Sequence, residues 1–258
     1  MIRCAHVIGM GRLGRHLANR LEAIGVTVHR WNRSPQSDAQ PWDDWTPGDA
    51  DAVFLCVADD ALQEVARQVT GRIAPTTWCI HHGGSVSKSV MGSRTRNAVL
   101  WPPMTFQPGE APDWATLPMA VDADDPEFAA WARQLAPACF DVSESQRRHL
   151  HLGAVLLGNL TAAWIGTVQQ HLGGLDLDPR LLSPLVEASV TKALDGEALD
   201  SVTGPAARND RATLLAQQDL LSTSDPHLRE LHALLTHRIL THHGHDPLPP
   251  LQAAPRRD

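Results

Sequence analysis

Surplus positive charge is the first thing missing from this 258-residue chain: 22 Lys and Arg stand against 29 Asp and Glu, a net charge of −7. Non-specific nucleic-acid binding works by neutralising phosphates with cationic side chains, so nucleic acid is not an expected partner. No apolar run approaches the roughly 20 residues that cross a bilayer, so no membrane is expected either. The chain enters a strand-like pattern at once with "MIRCAHVIG", which leaves no room for a cleavable leader and points to the cytoplasm. The four cysteines, Cys4, Cys56, Cys79 and Cys139, have neither a zinc spacing nor the density of a disulfide framework. They read as free thiols in a reducing compartment. Fourteen histidines invite a metal reading, but the clusters are poor ones. His242, His243 and His245 precede a Pro-rich tail, and His227, His232 and His237 recur every fifth residue and so do not share a helical face. With no Cys or carboxylate to complete a tetrahedral set, no metal is expected. Internal repeats are absent.

What is present is a regular alternation. Residues 3–9 read as a strand, and Arg12 to Ile24 carries Leu13, Leu17, Leu21 and Ile24 at helical spacing, with Gly25 ending the helix. "VTVHRW" is a second strand, and "ADAVFLCV" (50–57) is a wholly apolar one of the kind buried on both faces of a parallel sheet. Asp59 or Asp60 is the expected cap of a helix running to about Arg72. Strands follow at "TWCIHH", "NAVLW", "LPMAVDA" and "ACFDVS", and Asp125 with Pro126 predicts the start of a helix between the last two. The alternation predicts right-handed crossovers and a doubly wound α/β sheet of Rossmann type.

Near residue 143 the character changes to almost pure helix. Ser143 and Gln146 form a predicted capping box for a long helix that closes on Gly173 and Gly174. "DPRLLSPLVEASVTKAL", "NDRATLLAQQDLLS" and "DPHLRELHALLTHRILTHHG" supply three more helices. The expected division is therefore 1–143 (dinucleotide-binding), 144–245 (helical, for substrate and dimerisation) and 246–258 (a flexible Pro-rich tail). The long helix is apolar over much of its circumference, at Leu150, Ala154, Leu157, Leu160, Trp164 and Val168. Such a helix is covered by other helices or by a second subunit, and a homodimer built on the helical part is expected.

Gly9-Met10-Gly11-Arg12-Leu13-Gly14 matches GxGxxG between a strand and a helix, with a second strand about twenty residues on. Gly9 suits the tight turn, Gly11 lets pyrophosphate approach the backbone, and Gly14 permits close helix–strand packing. The helix N-terminus offers unpaired N–H groups to phosphate. An NAD-preferring site places a carboxylate at the end of the second strand to accept from the ribose 2′-hydroxyl. Here that position carries Trp31, Asn32, Arg33 and Ser34. Arg33 suits a 2′-phosphate and Ser34 a hydrogen bond to it, so the expected cofactor is NADP(H).

With "GMGRLG" and "NRS" go "CVADDAL", "HHGGSVS", "WPPMTFQ", "HLHLGAVLLGN" and "TGPAARND", spread from residue 9 to 210. Together they resemble the Rossmann-like proteins with a DUF2520 C-terminal domain, in the 6-phosphogluconate dehydrogenase-like superfamily. Thr203, Gly204, Pro205, Arg208 and Asp210 carry the most specific stretch. The resemblance implies an NADP-dependent reductase, similar to ketopantoate reductases or, more distantly, to pyrroline-5-carboxylate reductases. It implies that Val57, Ala58 and Asp59 follow the nicotinamide side of the cofactor, and that the segment from His81 to Ser85, with His82 and Gly84, lies beside nicotinamide and substrate. It also implies that the helix with His151 and Asn159 faces them. Two departures stand out: Pro102-Pro103 replaces the His-Pro before Thr105-Phe106, and Val155 stands where wider relatives carry a catalytic Lys four residues before Asn159.

Reduction of a carbonyl or imine needs a hydride and a proton. His151, eight residues before Asn159 on roughly the same helical face, is the candidate acid, with Ser85 and His82 behind it. Asn159 is a candidate to hold the carbonyl oxygen or the nicotinamide amide. The competing reading of His151 is a hydrogen-bonded interface histidine. Arg208 is the candidate clamp for a substrate carboxylate, beside Thr203, with Asp210 orienting it or simply capping the next helix. Three functions stay open: reduction of a small 2-oxo acid, reduction of a cyclic imine, or NADP(H) binding without catalysis.

Overall fold

The computed structural model describes residues 2–34, 37–93, 96–107, 109 and 111–251. It divides into two compact units, Met1–Asn159 and Leu160–Asp258. The division falls inside the continuous helical run that starts at residue 144, not at the change of composition.

The first unit is built on one eight-stranded sheet: β1 (Cys4–Ile8), β2 (Thr27–Asn32), β3 (Gln40–Pro41), β4 (Ala52–Leu55), β5 (Trp78–His81), β6 (Asn97–Trp101), β7 (Met119–Ala123) and β8 (Cys139–Asp141). Their order is β3-β2-β1-β4-β5-β6-β7-β8. The chain reverses at β1, which pairs in parallel with both β2 and β4. An open α/β sheet places its crevice beyond the carboxyl ends of the strands at such a reversal. The sheet is wholly parallel except that β6 and β7 run antiparallel. No helix lies between them among the described residues, so this connection is not the crossover the alternation predicts. β4, β5 and β6 are buried along their whole length, as continuous apolar strands between two helical layers should be.

Three helices cover the sheet: α1 (Arg12–Ala23), α2 (Asp59–Thr70) and α3 (Pro126–Leu135). α1 buries Leu17, Ala18 and Leu21 in the core of Val7, Phe54, Ile80 and Leu100. Gly25 follows it at φ +84°, a left-handed turn that suits glycine. α3 starts on the Asp125 cap that its sequence predicts, the carboxylate accepting from the Glu127 and Phe128 N–H groups. α2 departs from expectation. Its N-cap is Ala58, with no side-chain bond, and Asp59 and Asp60 lie inside the first turn, where their charge still suits the helix dipole.

The run from residue 144 opens as α4 (Glu144–Ala154), capped by the Ser143–Gln146 box, passes through a π-helical segment (Val155–Leu160) and resumes as α5 (Thr161–Gly173). A π turn bonds i to i+5, so counting helix faces from His151 to Asn159 at α-helical spacing does not hold across it. By length and composition alone, Glu144–Gly173 would suffice to cross a membrane, although no single apolar run stood out in the sequence. Its first turns are nonetheless tied to the α/β unit by Arg147, which is fully buried.

The second unit holds α5, then α6 (Ser183–Leu194), α7 (Arg211–Ser224) and α8 (Pro226–His242). Asp210 and Asp225 cap α7 and α8. α7 and α8 bury Leu214, Leu221, Leu228 and Leu240, whereas α5 and α6 bury no residue at all. Arg211 donates to the carbonyls of Asp246 and Pro247, and Leu248 packs on the cluster of Ala206, Leu214 and Leu240. These contacts hold the first residues of the Pro-rich tail; residues 252–258 lie outside the described ones.

Candidate functional site

A cleft of about 670 Å³ opens at the reversal point of the sheet, lined by Gly9, Gly11, Asn32, Arg33, Ser34, Trp42, Val57 and Ala58, with Glu64 and Gln68 on α2. Its floor is set by close packing. A Cβ on Gly9 would lie 2.5 Å from the Cys56 carbonyl oxygen, and one on Gly14 would lie 1.9 Å from the Gly9 carbonyl oxygen. The fold itself needs both glycines. Gly11 is different: a Cβ there meets nothing within 4 Å, yet it lines the cleft. Its smallness serves no protein neighbour and leaves room for a ligand to reach the backbone.

Gly11 is also the N-cap of α1, which has no side-chain cap and no acidic residue in its first turn. An uncapped helix start facing a cleft is an anion site, since its first N–H groups lack partners. Asn32 braces the two loops above it. Its Oδ1 accepts from the Met10 N–H at 2.9 Å, and its Nδ2 donates to the Ser34 carbonyl at 2.8 Å. Both ends of this amide are thus engaged in shaping the cleft. Arg33 and Ser34, beyond it, are exposed. No carboxylate ends β2 to repel a phosphate there. Of the other cofactor candidates, Met10 is buried, Arg12 is exposed at the start of α1, and Leu13 packs on the core. Asp59 accepts from the Ser85 hydroxyl at 3.4 Å, tying α2 to the loop after β5.

That loop forms a second cluster within the same unit. His81 Nδ1 accepts from the Gly83 N–H, so its proton sits on Nε2, facing the Ser87 carbonyl. His82 is buried, stacks on Phe54, and directs Nδ1 at the Leu100 carbonyl 2.6 Å away. Burial lowers the pKa of His81 to about 3, helped by the charge of Arg147, and that of His82 to about 4. Both are neutral near pH 7. His82 is buried and is not among the residues that line the cleft. Gly84 is enclosed: a Cβ would lie 2.4 Å from His151 Cδ2 and 2.7 Å from the Trp101 ring. His151 in turn sits against Trp101 with ring centroids 5.4 Å apart. Gly84 and His151 are brought together as the sequence implies, while Asn159 is exposed in the π segment that closes the unit.

The residue that organises this cluster escaped the sequence reading. Arg147 has no exposed side-chain surface and donates to the carbonyls of Gly83 and Gly84, both at 2.8 Å. Its charge faces Asp122, 3.3 Å away, which also faces Lys88 at 3.4 Å. Glu144 adds a second tie, accepting from the Ser87 hydroxyl and the Lys88 N–H. The start of α4 is thereby bolted to the loop after β5. In sequence, "QRRHL" shows two arginines on a polar helix start, and nothing marks one of them as buried.

Thr203 and Arg208 lie in the second unit, where an Arg208 guanidinium N–H donates to the Thr203 carbonyl. Asp210 takes the capping role of the two open to it, accepting from the Thr213 N–H and hydroxyl, which lower its pKa. Cys4, His6 and His29 approach one another within 4.8 Å on adjacent strands. The Trp45 indole N–H donates to His6 Nδ1, however, so the neutral ring carries its proton on Nε2 and offers no lone pair to a metal.

Comparison with known proteins agrees with this architecture. The profile of a family described as a domain of unknown function, DUF2520, matches residues 117–239. A candidate NADP oxidoreductase from Bacteroides fragilis is 24% identical, with a TM-score of 0.77 over 93% of this chain and 98% of that one. A Thermotoga maritima protein is 18% identical with a TM-score of 0.73, covering 92% and 98%. A reductive aminase from Aspergillus terreus, solved with NADPH and ethyl levulinate, is 14% identical with a TM-score of 0.64, covering 95% and 97%. Among curated proteins none matches. The reversal-point cleft and the strand order make the first unit a Rossmann-type fold, and residues 117–239 are similar to the DUF2520 family.

Proposed function

We propose that the chain is an NADPH-dependent reductase of a small carbonyl compound, in first reading a 2-oxo acid of ketopantoate size. One observation carries the cofactor: Gly11, which no protein neighbour requires to be glycine, lines the same cleft as Arg33 and Ser34. A dinucleotide fits with its pyrophosphate at Gly11 and the start of α1. Its 2′-phosphate then falls to the Arg33 guanidinium and the Ser34 hydroxyl. The absence of a carboxylate at the end of β2 supports the phosphorylated cofactor over NADH.

Bound NADPH would supply the hydride. The chain's own part is to place the acceptor and hold a proton for its oxygen or nitrogen. His151 is the proposed holder of that proton, kept against Gly84 and Trp101. Ser85 and Asn159 are its proposed companions, as hydrogen-bonding groups to substrate or to the nicotinamide amide. Reduction of a cyclic imine is the second reading. It is favoured by Val155, which leaves the π segment, "VLLGNL", without an ionisable side chain, and by the likeness to the reductive aminase. In the division of labour proposed here, residues 1–143 bind the dinucleotide and 144–245 supply the substrate and dimer surfaces. A second copy of the chain is the proposed cover for α5 and α6, which bury no residue and leave Leu185, Val190 and Leu194 exposed; a two-fold interface would cover the same patch on both copies.

Titration with NADPH and NADH, followed by turnover of a panel of oxo acids and cyclic imines, tests the reading. NADPH is expected to bind at least about tenfold more tightly than NADH, and Arg33→Ala to remove most of that preference. Equal affinities in the wild type would sink the Arg33 argument. Arg208→Ala raising KM for an oxo acid but not for an imine would favour the first substrate class. Tight NADPH binding with no turnover across the panel would leave a binding protein and refute the enzyme.

A further inference from the structure

Trp42 lines the cleft but belongs to no dinucleotide motif; it comes directly after the short strand β3. Trp31 pairs with Gln40 and Asn32 with Pro41 in the parallel β2–β3 pair. The strand pair ends there: Trp42 follows β3 as the first residue of a short 3-10 helix (Trp42–Asp44), and Arg33 follows β2. Its indole is stacked on Trp45, with centroids 5.2 Å apart and planes 19° from parallel. Trp45 is 2% exposed and anchored from three sides. Its N–H donates to His6 Nδ1 at 3.0 Å, the Arg72 guanidinium lies 5.9 Å over its ring, and the carbonyl of Trp45 accepts from Arg72. Trp42 is thus one tier of a rigid stack, half-buried, with a remaining surface turned to the cleft.

From this geometry we infer that Trp42 is the stacking platform for the adenine of the dinucleotide, a proposal that rests on the NADP(H) reading above. The 2′-phosphate and the base are carried on adjacent carbons of one ribose. A side chain that binds the phosphate must therefore adjoin the surface that receives the base. Arg33 and Trp42 each follow the end of one strand of the β2–β3 pair and line one cleft, with Glu64 and Gln68 entering it from α2. Stacking is indifferent to the edge of the base but demands a flat, immobile partner, which the Trp45 anchor provides.

The test uses 2′,5′-ADP, the adenylate portion alone, titrated by calorimetry into wild type, Trp42→Phe and Trp42→Leu. Phe keeps an aromatic face, whereas Leu keeps only apolar bulk. Phe should stay within about threefold of wild type, and Leu should bind at least about tenfold more weakly, as loss of one base stack predicts. Equal affinity of Leu and wild type overturns the platform while leaving the cofactor reading intact, as does equal weakening of Phe and Leu. A wild type that binds neither 2′,5′-ADP nor NADPH overturns both. Fluorescence gives a check that does not depend on the Leu variant folding: 2′,5′-ADP should quench wild-type tryptophan emission, and Trp42→Phe should lose most of that quenching. Undiminished quenching in Trp42→Phe refutes the proposal.

Discussion

The two units solve the burial problem in opposite ways. In the α/β unit, β4, β5 and β6 are buried throughout, and even a charged guanidinium, that of Arg147, is enclosed and paired. In the helical unit α5 and α6 bury nothing, and Leu181 and Leu194 remain 75% and 80% exposed. A sheet covered on both faces closes its core within one chain. Two apolar helices with a groove of about 230 Å³ between them, lined by Trp164, Val168, Leu172 and Val186, do not. The lesson is that one half owes its stability to its own packing, and the other leaves apolar area for something else to cover.

The contrast can be broken most forcefully at Arg147. Arg147→Met should destabilise the α/β unit by about 3–5 kcal/mol, since Asp122 and the Gly83 and Gly84 carbonyls lose their partner inside the protein. Urea unfolding followed by a probe in that unit measures it, and a loss below about 1 kcal/mol would show the clamp to be dispensable. On the other side, Leu185→Gln with Leu194→Gln should cost the monomer's fold little, because both side chains are exposed. It should instead reduce the molecular mass seen by light scattering from dimer to monomer at micromolar concentration. An unchanged mass, or a wild type that is already monomeric, removes the second copy as the cover.

Acid sharpens the comparison. His81 and His82 are buried neutral, with pKa values lowered to about 3 and about 4 from an ordinary 6.5. The unfolded chain takes up their protons first, so their effect on stability is absent above pH 6.5 and grows as pH falls from 6.5 towards 4. Each contributes a loss of about 1.4 kcal/mol per pH unit at the steepest part. His82→Phe should flatten that slope if the core accepts the ring, and an identical slope would point to other groups. The smallest effect on folding is expected at Gly11. Gly11→Ala should leave the urea midpoint unchanged, as nothing lies near its Cβ, yet weaken NADPH binding by at least about tenfold. Loss of stability in Gly11→Ala, or retained affinity, would mean that Gly11 is a structural glycine like Gly14.

The sequence was most informative where local rules suffice. The helical spacing of α1, the Asp125 cap and the Ser143–Gln146 box all rest on contacts within a few residues, and each is found. β7 was legible as a strand, but its direction against β6 depends on a loop with no period to read. The Asp59 cap failed because a carboxylate at the first helical turn and one at the N-cap look alike in sequence. Arg147 and Trp42 were invisible for a shared reason. Each matters through groups far along the chain, Asp122 and Gly83 for one, the cleft shared with Gly11 and Gln68 for the other, and pattern rules see neither.

Asn32 carries a consequence for anyone redesigning this cleft. A single carboxamide receives from the phosphate turn at Met10 and gives to the loop of Ser34. Those two loops are therefore not separate dials. A change to Arg33 adjusts affinity at one end only. Exchanging Asn32 for Asp, the obvious step towards a different nucleotide, would keep the acceptor for the Met10 N–H but set a carboxylate oxygen against the Ser34 carbonyl, so the two loops would come apart on the Ser34 side, and nucleotide preference would have to be re-engineered with the amide kept.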